Sequence, residues 1–199
     1  MSNLVNPYRY IVAAGGFLPT DITSLVSWYD ADDISTLWTD SARTDQVDAN
    51  DDVVGAWDDK SGNTNHLLQA TTANKLTYKT STMNSKPTLL SDGVDDWIQA
   101  AFTLPKPAHI FIVTNPVSWT ANDTIVDGYT VNTLRVAQIT STPNITTFTG
   151  SVWSNLDANL TIGNDHLLEV FADGASSHIK VDDNTPTATT VKPNANAAA

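Results

Sequence analysis

Short apolar runs, each followed by Asp, Gly, Asn or Ser, recur along the chain from Leu25 to Asp182. The pattern predicts strands at Val26–Tyr29, Val53–Trp57, His66–Ala70, Leu76–Lys79, Pro87–Leu90 and Asp96–Gln99. Further strands are predicted at His109–Thr114, Thr124–Asp127, Leu134–Ile139, Ile145–Phe148 and Leu160–Gly163, and in the pair His166–Ala172 and His178–Asp182. Leu134–Ile139 alternates apolar and polar, as a half-buried strand does. The unbroken apolar run at His109–Thr114 predicts burial on both faces, in the middle of a sandwich. Asp58–Asn65, Ser91–Gly93 and Asp173–Gly174 read as tight turns. Their spacing suits antiparallel sandwiches and jelly rolls. No stretch repeats, and none has the length and period of an amphipathic helix pair.

The ends read differently. Residues 1–20 form an arm in which Tyr8-Arg9-Tyr10-Ile11-Val12 could extend as a short strand before Gly15-Gly16 breaks it. An apolar arm with Tyr8, Arg9, Tyr10 and Phe17 either folds back on its own domain or anchors to a neighbour. Residues 21–188 form the sandwich, and residues 189–199, rich in Asn, Pro and Ala, form a tail or linker.

Composition sharpens the all-β reading. The acids are Asp except for Glu169, and Asp favours turns over helices and strands. The net charge of −12 argues against a nucleic-acid partner, because phosphate binding needs clustered Lys and Arg. It disfavours anionic membranes equally, and no apolar run approaches the roughly 18 residues of a membrane span. The absence of Cys removes disulfides, thiolate nucleophiles and Cys-ligated zinc. The N-terminus lacks the pattern of a secretory signal.

Three blocks carry a family resemblance: Trp28-Tyr29-Asp30-Ala31-Asp32-Asp33, Trp57-Asp58-Asp59-Lys60-Ser61-Gly62-Asn63 with Asn65-His66, and Ser91-Asp92-Gly93-Val94-Asp95-Asp96. In this order they resemble the concanavalin A-like (laminin G-like) jelly roll common in phage virion and bacterial surface proteins. The likeness spans roughly residues 25–182 and includes the hairpin Leu167–Gly174 with Ile179–Asp182. Ser91 replaces the family's usual Phe, and Asp183-Asn184 replaces its hairpin Gly. The resemblance also implies closing strands beyond residue 182, to be supplied by the arm, a partner or further chain. It implies an all-β antiparallel sandwich with an N-terminal arm, displayed on a virion surface after synthesis in the host cytoplasm. The expected partners are other virion proteins of capsid or tail, and further copies of the chain.

The candidate chemistry is sparse. Paired acids such as Asp58-Asp59 and Asp95-Asp96 could serve a glycosidase, which needs two carboxylates across a sugar. The glucanases of the resembled group carry a Glu-x-Asp-x-x-Glu strand, which this chain lacks, so a non-catalytic protein is expected. Asp58, Asp59, Asn63, Asp92, Asp95 and Asp96 could instead meet around one calcium ion, since hard cations take several loop oxygens. The four His residues are too scattered for zinc. Trp38, Trp119 and Trp153 fall in predicted loops beside polar residues and could stack on glycans, whereas Trp28, Trp57 and Trp97 fall in strand motifs and are expected in the core. A carbohydrate-binding module is therefore the alternative to a virion structural protein.

Overall fold

The computed structural model describes residues 16–128, 134–139, 145–149, 153–155, 160–173, 176–182 and 187–188. Tyr8, Arg9, Tyr10 and the 189–199 tail lie outside the described residues. Among the described residues, helix appears only as short 3-10 turns, including Pro19–Asp21, Ile34–Thr36 and Thr72–Asn74. The strand pairs are antiparallel. The chain is thus all-β, as its Asp- and Thr-rich composition requires.

Among the described residues, six strands occupy the first half: β1 (Leu37–Trp38), β2 (Val53–Val54), β3 (Ala56–Trp57), β4 (Leu67–Leu68), β5 (Leu76–Met83) and β6 (Lys86–Leu90). They form two sheets, ordered β1-β3-β4 and β2-β5-β6. Leu37, Val47, Val54 and Tyr78 make their shared core, with Trp57, Leu89 and Ile98 against it. The apolar run Val53–Trp57 is not one strand, because Gly55 divides it between the two sheets. Gly55 N–H donates to Trp38 O at 2.8 Å. A Cβ on Gly55 would lie 2.7 Å from Thr39 O, so only glycine permits this approach.

The second half contains β7 (Ala108–Thr114), β8 (Asp123–Asp127), β9 (Leu134–Gln138), β10 (Ile145–Thr149), β11 (Trp153–Asn155), β12 (His166–Ala172), β13 (His178–Val181) and β14 (Thr187–Ala188). Two four-stranded sheets result, β14-β13-β12-β7 and β11-β10-β9-β8. One core cluster draws Val136 and Ile145 from the second sheet and Leu168, Val170, Ile179 and Val181 from the first. Two antiparallel sheets sharing one apolar layer give this half a sandwich-like character. The β12–β13 hairpin follows the sequence expectation, with Leu168 opposite Val181.

Several expectations fail, for identifiable reasons. β7 is not buried on both faces: it lies at the edge of its sheet, and its burial alternates. Ile110 and Ile112 pack on the core, while Phe111 and Val113 are 58% and 68% exposed. An apolar run reports side-chain chemistry and not which faces another layer covers. Val26–Tyr29 is irregular, because the Asp59, Ser61 and Asn65 side chains and a single Lys60 N–H, rather than a ladder, hold its backbone. Asp96–Gln99 contributes only a bridge from Gln99 to Leu68. Leu160 is buried, but the chain turns after it at Gly163, whose φ is +83°. Trp38 and Trp153 lie on strands, not in loops.

Candidate functional site

The Asp58–Asn65 turn is the first place where the sequence gathers polar side chains. Asp59 is buried, and its Oδ1 accepts from Trp28 N–H and Ser61 N–H, both at 2.9 Å. Its Oδ2 accepts from the Ser61 hydroxyl at 2.7 Å and Asn65 N–H at 3.1 Å. Asn63 Nδ2 donates to Leu25 O at 2.7 Å, Asn65 Nδ2 donates to Val26 O at 2.8 Å, and Tyr29 donates its hydroxyl hydrogen to Asn65 O. The turn therefore grips residues 25–29 through side chains. Burial alone would push the Asp59 carboxyl up, but the hydrogen bonds from Ser61, Trp28 and Asn65 outweigh it and hold it below the ordinary carboxylate value. Burial and the nearby Asp59 charge push the Tyr29 phenol up to about 12. Lys60 bridges Asp30 and Asp33 at 3.0 and 2.8 Å and stands 4.4 Å above the Trp28 ring. Asp58 accepts from Trp38 Nε1 at 2.9 Å and from Arg43 at 3.0 Å.

The Asp92–Trp97 turn is the second. Carboxylate oxygens of Asp92, Asp95 and Asp96 lie within 4.8 Å of one another; Asp58 and Asp59 do not join that group. The six residues considered for one ion thus occupy two separate turns. Asp92 Oδ1 accepts from Val94 N–H at 2.8 Å, and Asp96 Oδ2 accepts from Asp92 N–H at 2.9 Å. Burial pushes the Asp96 carboxyl up, and the charges of Asp92 and Asp95 add to it, against the lowering effect of the Asp92 N–H bond. The Thr72–Asn74 turn and Gln69 pin the segment. Trp97 N–H donates to Asn74 O at 3.0 Å, Asn74 Nδ2 donates to Asp95 O at 2.7 Å, and Gln69 Nε2 donates to Trp97 O at 3.0 Å. The Trp97 ring, expected in the core, is 46% exposed on this fixed backbone.

The other singled-out residues scatter. Trp38 is half-buried on β1, and Trp119 is half-buried against the sandwich core. Trp153 lies on β11 opposite Phe148, and its side chain is outside the described residues. Phe17 is exposed. Trp28 is half-buried, and Trp57 packs on the first-half core beside Tyr29, with ring centroids 5.6 Å apart. His166 is buried between Asp182 and the Thr161 backbone. Trp97 is the residue that sequence reasoning missed as a surface group. Its signal was the acidic turn just before it, which leaves its strand without a ladder.

No helix among the described residues is long and apolar enough to cross a membrane. Compared with family models, curated proteins and solved structures, the chain matches none.

Proposed function

We propose that this protein is a non-catalytic structural module displayed on a virion surface, with a concanavalin A-like jelly roll as the finer form of its antiparallel sheets. It would decorate a capsid, form a head fibre or sit on a tail, after synthesis in the host cytoplasm. Its partners on this reading are other virion proteins and its own copies, with residues 1–20 as the anchoring arm.

The observation that supports the non-catalytic part of the reading is the use made of Asp59. Its carboxylate accepts four hydrogen bonds and ties Trp28 to the turn. A carboxylate so engaged and held acidic is a corner piece and a poor proton donor. The test is co-sedimentation with particles from the producing cells. Association should vanish on deletion of residues 1–18, and unchanged association of that variant would defeat the anchoring claim.

A second reading, a glycan-binding module, is favoured by Trp97. An exposed indole on a pinned backbone, next to carboxylates and backbone amides, suits sugar stacking and hydrogen bonding. A glycan array decides it: binding lost in Trp97→Ala, with melting temperature within about 2 °C of wild type, supports it. An array without reproducible binding removes it.

A further inference from the structure

We infer that β7 pairs edge to edge with β7 of a second copy, antiparallel across a two-fold axis, joining two four-stranded sheets into one. The inference deepens the oligomer part of the reading above and rests on that reading only for the expectation that copies meet.

Edge strands present unpaired N–H and C=O groups, and soluble proteins shield them with charge, proline, bulges or short length. Among the described residues, β7 pairs with β12 alone. It is seven residues long, and its register against β12 runs unbroken from Ala108–Ala172 to Thr114–His166. Its sequence, Ala-His-Ile-Phe-Ile-Val-Thr, contains no Asp, Glu, Lys, Arg or Pro.

Among the described residues, the other sheet edges are shielded. β8 carries Asp123 and Asp127 and has a register shift against β9. β6 carries Lys86 and Pro87 and has a shift against β5. β1, β2, β4, β11 and β14 are two or three residues long.

Charge limits where two copies can meet. Two chains of net charge −12 repel, and the cost is least where the joint itself carries no like charges. β7 supplies such a joint, and the nearest acid on the same face, Glu169, sits a strand further in, opposite Lys180. The strand is also self-complementary. A two-fold through Phe111 pairs it with its own copy, His109 with Val113, and Ile110 with Ile112. Residues of like parity meet, so the outward side chains stay on one face. Phe111, Val113 and Leu167, all exposed in the single chain, become a continuous apolar surface across the joint. The ring of His109, 5.9 Å from Phe111 and 4.4 Å from Phe171, already holds the aromatic groups of this face in an ordered row. A two-fold contact of this kind closes on itself and does not propagate into a fibre.

Light scattering on the full chain over about a hundredfold range of concentration tests the pairing. The expected wild-type mass at high concentration is twice 21.4 kDa. Phe111→Lys places two ammonium groups face to face and should return the mass to 21.4 kDa with an unchanged circular dichroism spectrum. Val113→Lys repeats the test opposite His109. Hydrogen exchange on the wild type gives a readout independent of any variant: those Ala108–Thr114 amides that point away from β12 should exchange faster on dilution. A monomer at every concentration overturns the proposal, as do variants that dimerise like wild type. So do outward-facing β7 amides whose protection ignores dilution, which would place another segment of the same chain on the edge. A monomer that still joins particles refutes the pairing and leaves the display reading standing; a dimer that joins none does the reverse.

Discussion

Replacing Asp59 by alanine tests the central physical claim, that this acid is structural. The substitution removes four acceptor contacts at 2.7–3.1 Å and leaves the N–H groups of Trp28, Ser61 and Asn65 without that partner. Hydrogen bonds to a charged group are worth about 1.5–3 kcal/mol each when buried. Trp28, Ser61 and Asn65 are only half-buried, so water recovers part of the loss. A net cost of about 3 kcal/mol follows, which lowers the melting temperature of a chain this long by about 6–12 °C.

Acid adds a signature of its own. The native Asp59 carboxyl is more acidic than in the unfolded chain, so as pH falls the unfolded chain takes up that proton first. Its contribution is present above the ordinary value of 3.8 and is lost as pH falls through the lower native value. The gap between wild type and Asp59→Ala should therefore close in that window. Thermal and urea unfolding followed by tryptophan fluorescence measure both effects. A melting temperature within about 1 °C of wild type at neutral pH would refute the reasoning, as would a gap that does not narrow in acid.

Two more outcomes follow from the same structure. Gly55→Ala forces a Cβ to 2.7 Å from Thr39 O and 2.8 Å from Asp40 Cα, so urea unfolding should show a loss of about 2–4 kcal/mol. Asp96→Asn should act in the opposite sense to the Asp59 substitution. The folded chain holds the Asp96 proton more tightly than the unfolded chain, so the charged acid costs stability at neutral pH, and acid relieves the cost. A calorimetric melt should show a rise of about 1–2 °C at neutral pH that shrinks as pH falls.

The sequence alone determined the class of structure, and for a local reason. Asp and Thr discourage helices, and turn residues placed every few positions limit how far any strand can run. The hairpin His166–Ala172 with His178–Val181 was legible because its partners are neighbours along the chain and its alternation is clean. The Asp59 turn was legible as a turn, though not as the clasp that replaces a strand at Val26–Tyr29.

Tertiary structure decided the rest, because burial depends on what covers a face and not on the residue that occupies it. Phe111 and Val113 read as core and prove exposed, because among the described residues no second layer covers that face of β7, while Ile110 and Ile112 on the other face meet the core. Trp97 reads as core and prove exposed likewise, because Asn74 and Gln69 hold its backbone away from any ladder beyond the Leu68–Gln99 bridge. Trp38, read as a loop residue, is half-buried with its indole N–H on Asp58. Each of these contacts joins residues about 20 or more positions apart, a separation at which local pattern carries no record of the partner.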